Sequence, residues 1–198
     1  MKFLTFVDLH EDKKQLKRLV ARASEDDVDF IICAGGLHPV VSNIKFILNR
    51  LNSLGKKVYF VCANEQERNI VSSFIESYEN CVFLDGQAIE HEDYVLLGHG
   101  GNGLAREDFE FRQVSRKWYG NYKNKKSVLV LYGPAYETKL DKVEDKFLGN
   151  IDYRKFILRM QPKVAISGHI VESYGVSDKL EKTILINPGL EGMVIELP

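Results

Sequence analysis

Apolar residues along the chain recur with two different periods. Near-continuous apolar runs at Lys2 to Val7, Val28 to Ala34 and Lys57 to Ala63 read as strands covered on both faces, where no polar alternation is needed. Between them the apolar positions return every three to four residues. They are Leu16, Leu19, Val20 and Ala23; then Val40, Val41, Ile44, Ile47, Leu48 and Leu51, closing at Gly55; then Ile70, Val71, Phe74, Ile75 and Tyr78. That spacing keeps one face of a helix apolar. Strand and helix alternating in this way predict parallel strands with right-handed crossovers, so the first third of the chain reads as a doubly wound unit.

The period then changes. Cys81 to Leu84, the Asp85-Gly86 turn, Gln87 to Glu90 and Tyr94 to Gly98 lie too close together to leave room for helices and predict antiparallel or meandering strands. A helix is predicted from about Glu107 to Tyr122, a strand over Val128 to Tyr132, and a helix from about Asp152 to Met160. Strands follow at Lys163 to Ser167, near Thr183 to Ile186 and near Met193 to Leu197. The pattern predicts a layered α/β fold, a single domain over residues 1–198, with sheet edges supplied by C-terminal hairpins.

Composition narrows the partners. The chain has 198 residues, 44% of them hydrophobic and 28% charged, with a formal net charge of -1. There is no basic excess of the kind that gathers nucleic acid or anionic membrane, and no apolar run approaches the length of a membrane span or a signal peptide. A cytoplasmic protein is expected. Cys33, Cys62 and Cys81 are odd in number and scattered, so buried free thiols are expected rather than a disulfide framework.

Chemistry concentrates where strands end, which is where open α/β sheets place ligands. Five junctions carry glycines, short polar side chains or metal-ligand residue types: Asp8-Leu9-His10, Cys33-Ala34-Gly35-Gly36-Leu37, Cys62-Ala63-Asn64-Glu65, Leu131-Tyr132-Gly133-Pro134 and Ser167-Gly168-His169-Ile170-Val171-Glu172. Taken alone, Asp8 and His10 suit either a metal half-site or a helix cap followed by a first-turn residue. In order and spacing, however, the five junctions resemble the calcineurin-like metallophosphoesterases, whose motifs run D-x-H, G-D, G-N-H-[DE], a lone histidine and G-H-x-H. Tyr136 to Asp141, Gly149-Asn150 and Ile186-Asn187-Pro188-Gly189 are similar to the compact archaeal and bacterial branch. The resemblance implies a four-layer α-β-β-α sandwich of two mixed sheets. It also implies two divalent metals that share a bridging carboxylate, activate water and stabilise charge on a phosphate ester.

The ligand positions implied by the resemblance are partly occupied. Asp8, His10, Asn64 and His169 match. Gly36 stands where the bridging aspartate is implied, Tyr132 where the lone histidine is implied, and Val171 at the second histidine of the last motif. Ala63 replaces a glycine, and Glu65 stands at the implied catalytic histidine. Four ligands without a bridge cannot hold two mutually repelling cations at roughly 3.5–4 Å. The expectation is therefore no metal, or one weakly bound Mn, Fe, Ni or Zn, and no dinuclear centre.

Other residues have two readings each. His38 either swings toward the position vacated at Gly36 or is a surface histidine before Pro39. Glu65 is either a carboxylate ligand or a first-turn residue favoured by the helix dipole. The run Gly98 to Gly103 either cradles a phosphate with backbone N–H groups or is scaffold. Lys117 to Lys126 mixes aromatic and basic residues, as a nucleic-acid surface does and as an amphipathic helix end does. The functional expectation is a degraded metallophosphoesterase acting as a binding or scaffold module, with a protein partner or a phosphate-ester ligand at the former active-site face. The alternative is a residual phosphoesterase working with one metal on Asp8, His10, Asn64 and His169.

Overall fold

A computed structural model describes residues 1–25, 27–101 and 103–198. The first half runs β1 (Lys2–Phe6), α1 (Lys13–Glu25), β2 (Phe30–Cys33), α2 (Val41–Asn52), β3 (Lys57–Phe60), α3 (Glu65–Phe74), β4 (Cys81–Phe83), β5 (Ala88–His91) and β6 (Tyr94–His99). It continues with α4 (Phe109–Tyr122), β7 (Lys126–Leu131), β8 (Lys142–Val143), β9 (Lys146–Phe147), α5 (Ile151–Met160), β10 (Val164–Ile166), β11 (Ser177–Leu180), β12 (Thr183–Ile186) and β13 (Met193–Glu196). One sheet has the order β13-β1-β2-β3-β4 and the other β11-β12-β10-β7-β6-β5, with β8 and β9 forming a small separate ribbon.

Four layers follow from the pleat, which sends alternate side chains to opposite faces. Leu4, Phe6, Ile31, Val58 and Phe60 turn outward onto Leu16, Leu19, Ile44, Leu48 and Val71 of α1 to α3. Phe3, Phe30, Ile32 and Tyr59 turn inward and meet Leu96, Val128, Val130, Val164 and Ile166 of the second sheet. On its far side, Leu97, Leu129, Ala165 and Leu185 pack against Phe111, Trp118, Tyr153, Phe156 and Ile157 of α4 and α5. The expected α-β-β-α sandwich is the observed architecture.

Two expectations need correction. The segment Cys81 to Leu84 is not part of a meander: β4 pairs parallel with β3, Val58 opposite Cys81. A 3-10 turn at Ile75–Ser77 extends α3 into an ordinary crossover, so the chain first changes sheets at Asp85, which bridges to Gly98. The last strand is not the second arm of a hairpin with β12. β13 crosses to the first sheet and lies antiparallel to β1, Lys2 opposite Glu196, while the hairpin at the other edge is β11 with β12. β11 reads Ser-Asp-Lys-Leu and is half exposed, so it carries no apolar signal.

Candidate site at the strand ends

The loops after β1 and β2 are zipped together. Asp8 N–H donates to the Gly35 carbonyl at 2.9 Å and His10 N–H to the Gly36 carbonyl at 2.8 Å. Asp8, His10 and His169 all sit in the left-handed region, at φ 54°, 49° and 69°. Such conformations cost about 1 kcal/mol or more for residues with a Cβ and gather at functional sites.

Asp8 is the centre of the cluster. It is buried, and both carboxylate oxygens are engaged by protein groups. Tyr132 O–H donates to Oδ1 at 3.0 Å. Oδ2 accepts from the His169 backbone N–H at 3.0 Å and from Tyr174 O–H at 2.9 Å. Burial, then the neighbouring Asp8 charge, pushes both phenols well above their ordinary range, so they act as donors. The Tyr132 oxygen also lies 3.0 Å from His169 Nδ1. Since the phenol proton is directed to Asp8, Nδ1 must carry its own proton to complete this bond. That leaves the lone pair on Nε2, which faces Gly103. Burial holds the imidazole below its ordinary range, although Asp8 opposes this.

The remaining expected residues are dispersed. Asn64 is exposed and caps α3, its Oδ1 accepting from Glu67 N–H at 2.9 Å. Glu65 is an exposed first-turn residue of the same helix. His10 is exposed, and its imidazole has no hydrogen-bond partner among the described residues. His38 is on the surface, 3.0 Å from Glu11. Val171 is 64% exposed. A Cβ at Gly36 would collide with Asp8 Oδ1 and stand 2.6 Å from the Asp8 Cα, so the backbone leaves no room for a carboxylate side chain there.

Two residues at this site carry no clear sequence signal. Tyr174 follows β10 by a 3-10 turn, and only the folded loop brings it to Asp8. Glu67 is buried, with Oε2 accepting from Leu37 N–H at 3.1 Å and Oε1 unpartnered. Its spacing from Asn64 matches a capping box, the one hint available. Burial raises its pKa to about 8 against the pull of the Ala63, Leu37 and Gly36 N–H groups.

The glycine run is scaffold. Asp85 accepts from Gly100 N–H at 2.8 Å and from Cys62 N–H at 3.3 Å, and pairs with Arg68 at 3.1 Å. A Cβ at Gly100 would collide with the Cys62 carbonyl oxygen. Asn102, within the run, lies outside the described residues. His99 is buried against Asp108, Nε2 to Oδ2 2.9 Å, with Tyr153 O–H donating to the same oxygen at 3.0 Å. Of the aromatic-basic stretch, Trp118 is buried in the second helical layer. Cys33, Cys62 and Cys81 are free and buried.

A metal pair needs a bridging anion and ligands with unoccupied lone pairs. Here the bridge position has no side chain, the Asp8 carboxylate already accepts from two phenols and an amide, and the Tyr132 phenol stands between that carboxylate and the His169 ring. Among the described residues no group of three or more His, Cys, Asp and Glu is arranged to hold an ion. The residues present do not fit the two-metal group that the family resemblance implies.

The comparisons with known proteins agree on the scaffold. The fold is similar to the protein TT1561 of Thermus thermophilus, at TM-score 0.77 and 12% identity over 96% of this chain and 90% of that one. It is similar to a phosphopantetheinyl hydrolase from Mycobacterium tuberculosis, at TM-score 0.72 and 10% identity over 95% and 88%. It also resembles a dimetal phosphatase from Danio rerio, at TM-score 0.62 and 10% identity over 96% and 88%. No curated protein matches by sequence. At such identities the likeness speaks for the fold alone, whereas the calcineurin-like phosphoesterase family model matches residues 1–173 directly. The motifs, the layers and that match together place the chain in the calcineurin-like phosphoesterase family.

Proposed function

We propose that this protein is a family member in which a hydrogen-bonded cluster has replaced the metal pair, and that it works as a binding module without metal-dependent hydrolysis. The observation that supports this most directly is the Tyr132 hydroxyl. It donates to Asp8 and accepts from His169, joining two inherited ligand positions to each other. A metal bound there has to break these bonds and leave buried polar groups unpaired. The strand-end loops expose Val171, Val40 and Val41, and Leu104 is exposed as well, and in this reading that face takes a protein partner or a phosphate ester.

The test is elemental analysis of protein prepared without chelators, beside turnover of bis(p-nitrophenyl) phosphate with added Mn, Fe, Ni or Zn. Substoichiometric metal and no turnover above buffer are expected. Near-stoichiometric metal, with turnover abolished by Asp8→Ala, would establish the single-metal phosphoesterase instead.

A further inference from the structure

On the outer face of the second helical layer, away from the strand ends, α4 and α5 lie side by side with a groove between them. Its walls come from one stripe of each helix. Arg112, Ser115, Arg116 and Tyr119 on α4, and Asp152, Lys155, Phe156 and Arg159 on α5, enclose about 240 Å³. Both sets follow i, i+3, i+4, i+7, the spacing of a single helical face. Four cations and one carboxylate line the groove, with Glu107 a second carboxylate against Arg112, in a chain whose formal net charge is -1.

Two of these cations are held in place before any ligand arrives. Arg112 Nε donates to Asp152 Oδ2 at 2.8 Å and its Nη2 pairs with Glu107 at 2.7 Å, leaving Nη1 without a partner among the described residues. Asp152 is itself fixed, because Oδ2 also accepts from Asp108 N–H at 2.9 Å. The Arg159 guanidinium lies 3.8 Å from the centroid of the Tyr119 ring. Arg116 and Lys155 have no ion-pair partner among the described residues. Fixed guanidinium groups lose little freedom on binding and match the oxygen geometry of phosphate, and the unpaired Arg116 and Lys155 add positive charge beside them.

We propose that the α4–α5 groove is a second binding site, one that takes a small phosphate-bearing molecule through Arg112, Arg116, Lys155 and Arg159. The probe is inorganic pyrophosphate, titrated calorimetrically at low ionic strength into the full chain. Saturable one-site binding is expected, weakened about tenfold or more in an Arg116→Gln, Lys155→Gln variant of unchanged thermal stability. A Lys14→Gln, Lys17→Gln variant removes the same charge from the exposed side of α1, in the opposite helical layer, and is expected to bind as the parent does. Equal weakening in both variants would reduce the effect to net charge, and absence of pyrophosphate binding would remove the site. Tight binding of a single-stranded RNA that strengthens with length, in place of pyrophosphate, would overturn the assignment in favour of a nucleic-acid surface.

Discussion

Tyr132 carries three relationships at once: it fills the space beside Gly35, satisfies Asp8 and orients His169. Replacing it with phenylalanine keeps the ring and removes the hydroxyl, so a buried carboxylate oxygen and the His169 Nδ1–H both lose a partner. A loss of about 1–3 kcal/mol is expected by urea denaturation. In ¹⁵N NMR of the wild type, His169 is expected as the Nδ1–H tautomer at neutral pH, a preference that weakens in Tyr132→Phe. Glu67 makes a prediction of opposite sign. Its pKa rises from 4.5 to about 8 on folding, so its contribution is intact below pH 4.5 and is lost as pH rises through about 8. Glu67→Gln is therefore expected to be more stable than wild type by roughly 2–4 kcal/mol at pH 9 and nearly equal at pH 4.5, measured by denaturant unfolding at the two values. Asp8, His169 and Tyr132 were legible as site positions because they terminate apolar strands. Tyr174 and Glu67 were not, since a tyrosine in a polar loop and a glutamate in a helix are ordinary until burial shows what they touch.

Helices and strands were legible wherever burial is one-sided or complete. α1 follows its apolar stripe closely and α2 does so from Ile44 to Leu51, because each packs a single face on a sheet, while Val40 and Val41 at the start of the α2 stripe are exposed. The asparagines that start helices are a test at this scale. Asn64 Oδ1 accepts one backbone bond, whereas Asn150 Oδ1 accepts from Asp152 and Tyr153 N–H and its Nδ2 donates to the Ala105 carbonyl at 2.7 Å. Asn64→Ala is expected to cost about 1 kcal/mol and Asn150→Ala about 2 kcal/mol, read from thermal or urea unfolding. A larger effect at Asn64 would mean that its side chain does more than cap α3. β4 and β13 escaped correct placement for a shared reason. A three- or four-residue apolar strand states that it is buried, not which sheet buries it.

At the scale of the molecule, the loops after β1 and β2 pack so closely that restoring a single ligand is not expected to repair the site. Gly36 is at φ 80° with Asp8 against its backbone, so Gly36→Asp is expected to lower the melting temperature and to bring no phosphodiesterase activity, alone or with Tyr132→His. A stable, active Gly36→Asp would show that the loop after β2 moves to admit the carboxylate. The sequence by itself determined the family, the alternation of layers and the positions at which ligands are missing, because strand and helix periodicity and motif spacing are local properties of the chain. Only the tertiary structure decided what fills the gap. The bonds from Tyr132, Tyr174 and His169 to Asp8 span 124, 166 and 161 positions, and hydrogen-bond satisfaction across such distances is set by how the sheets pack rather than by any neighbouring residue.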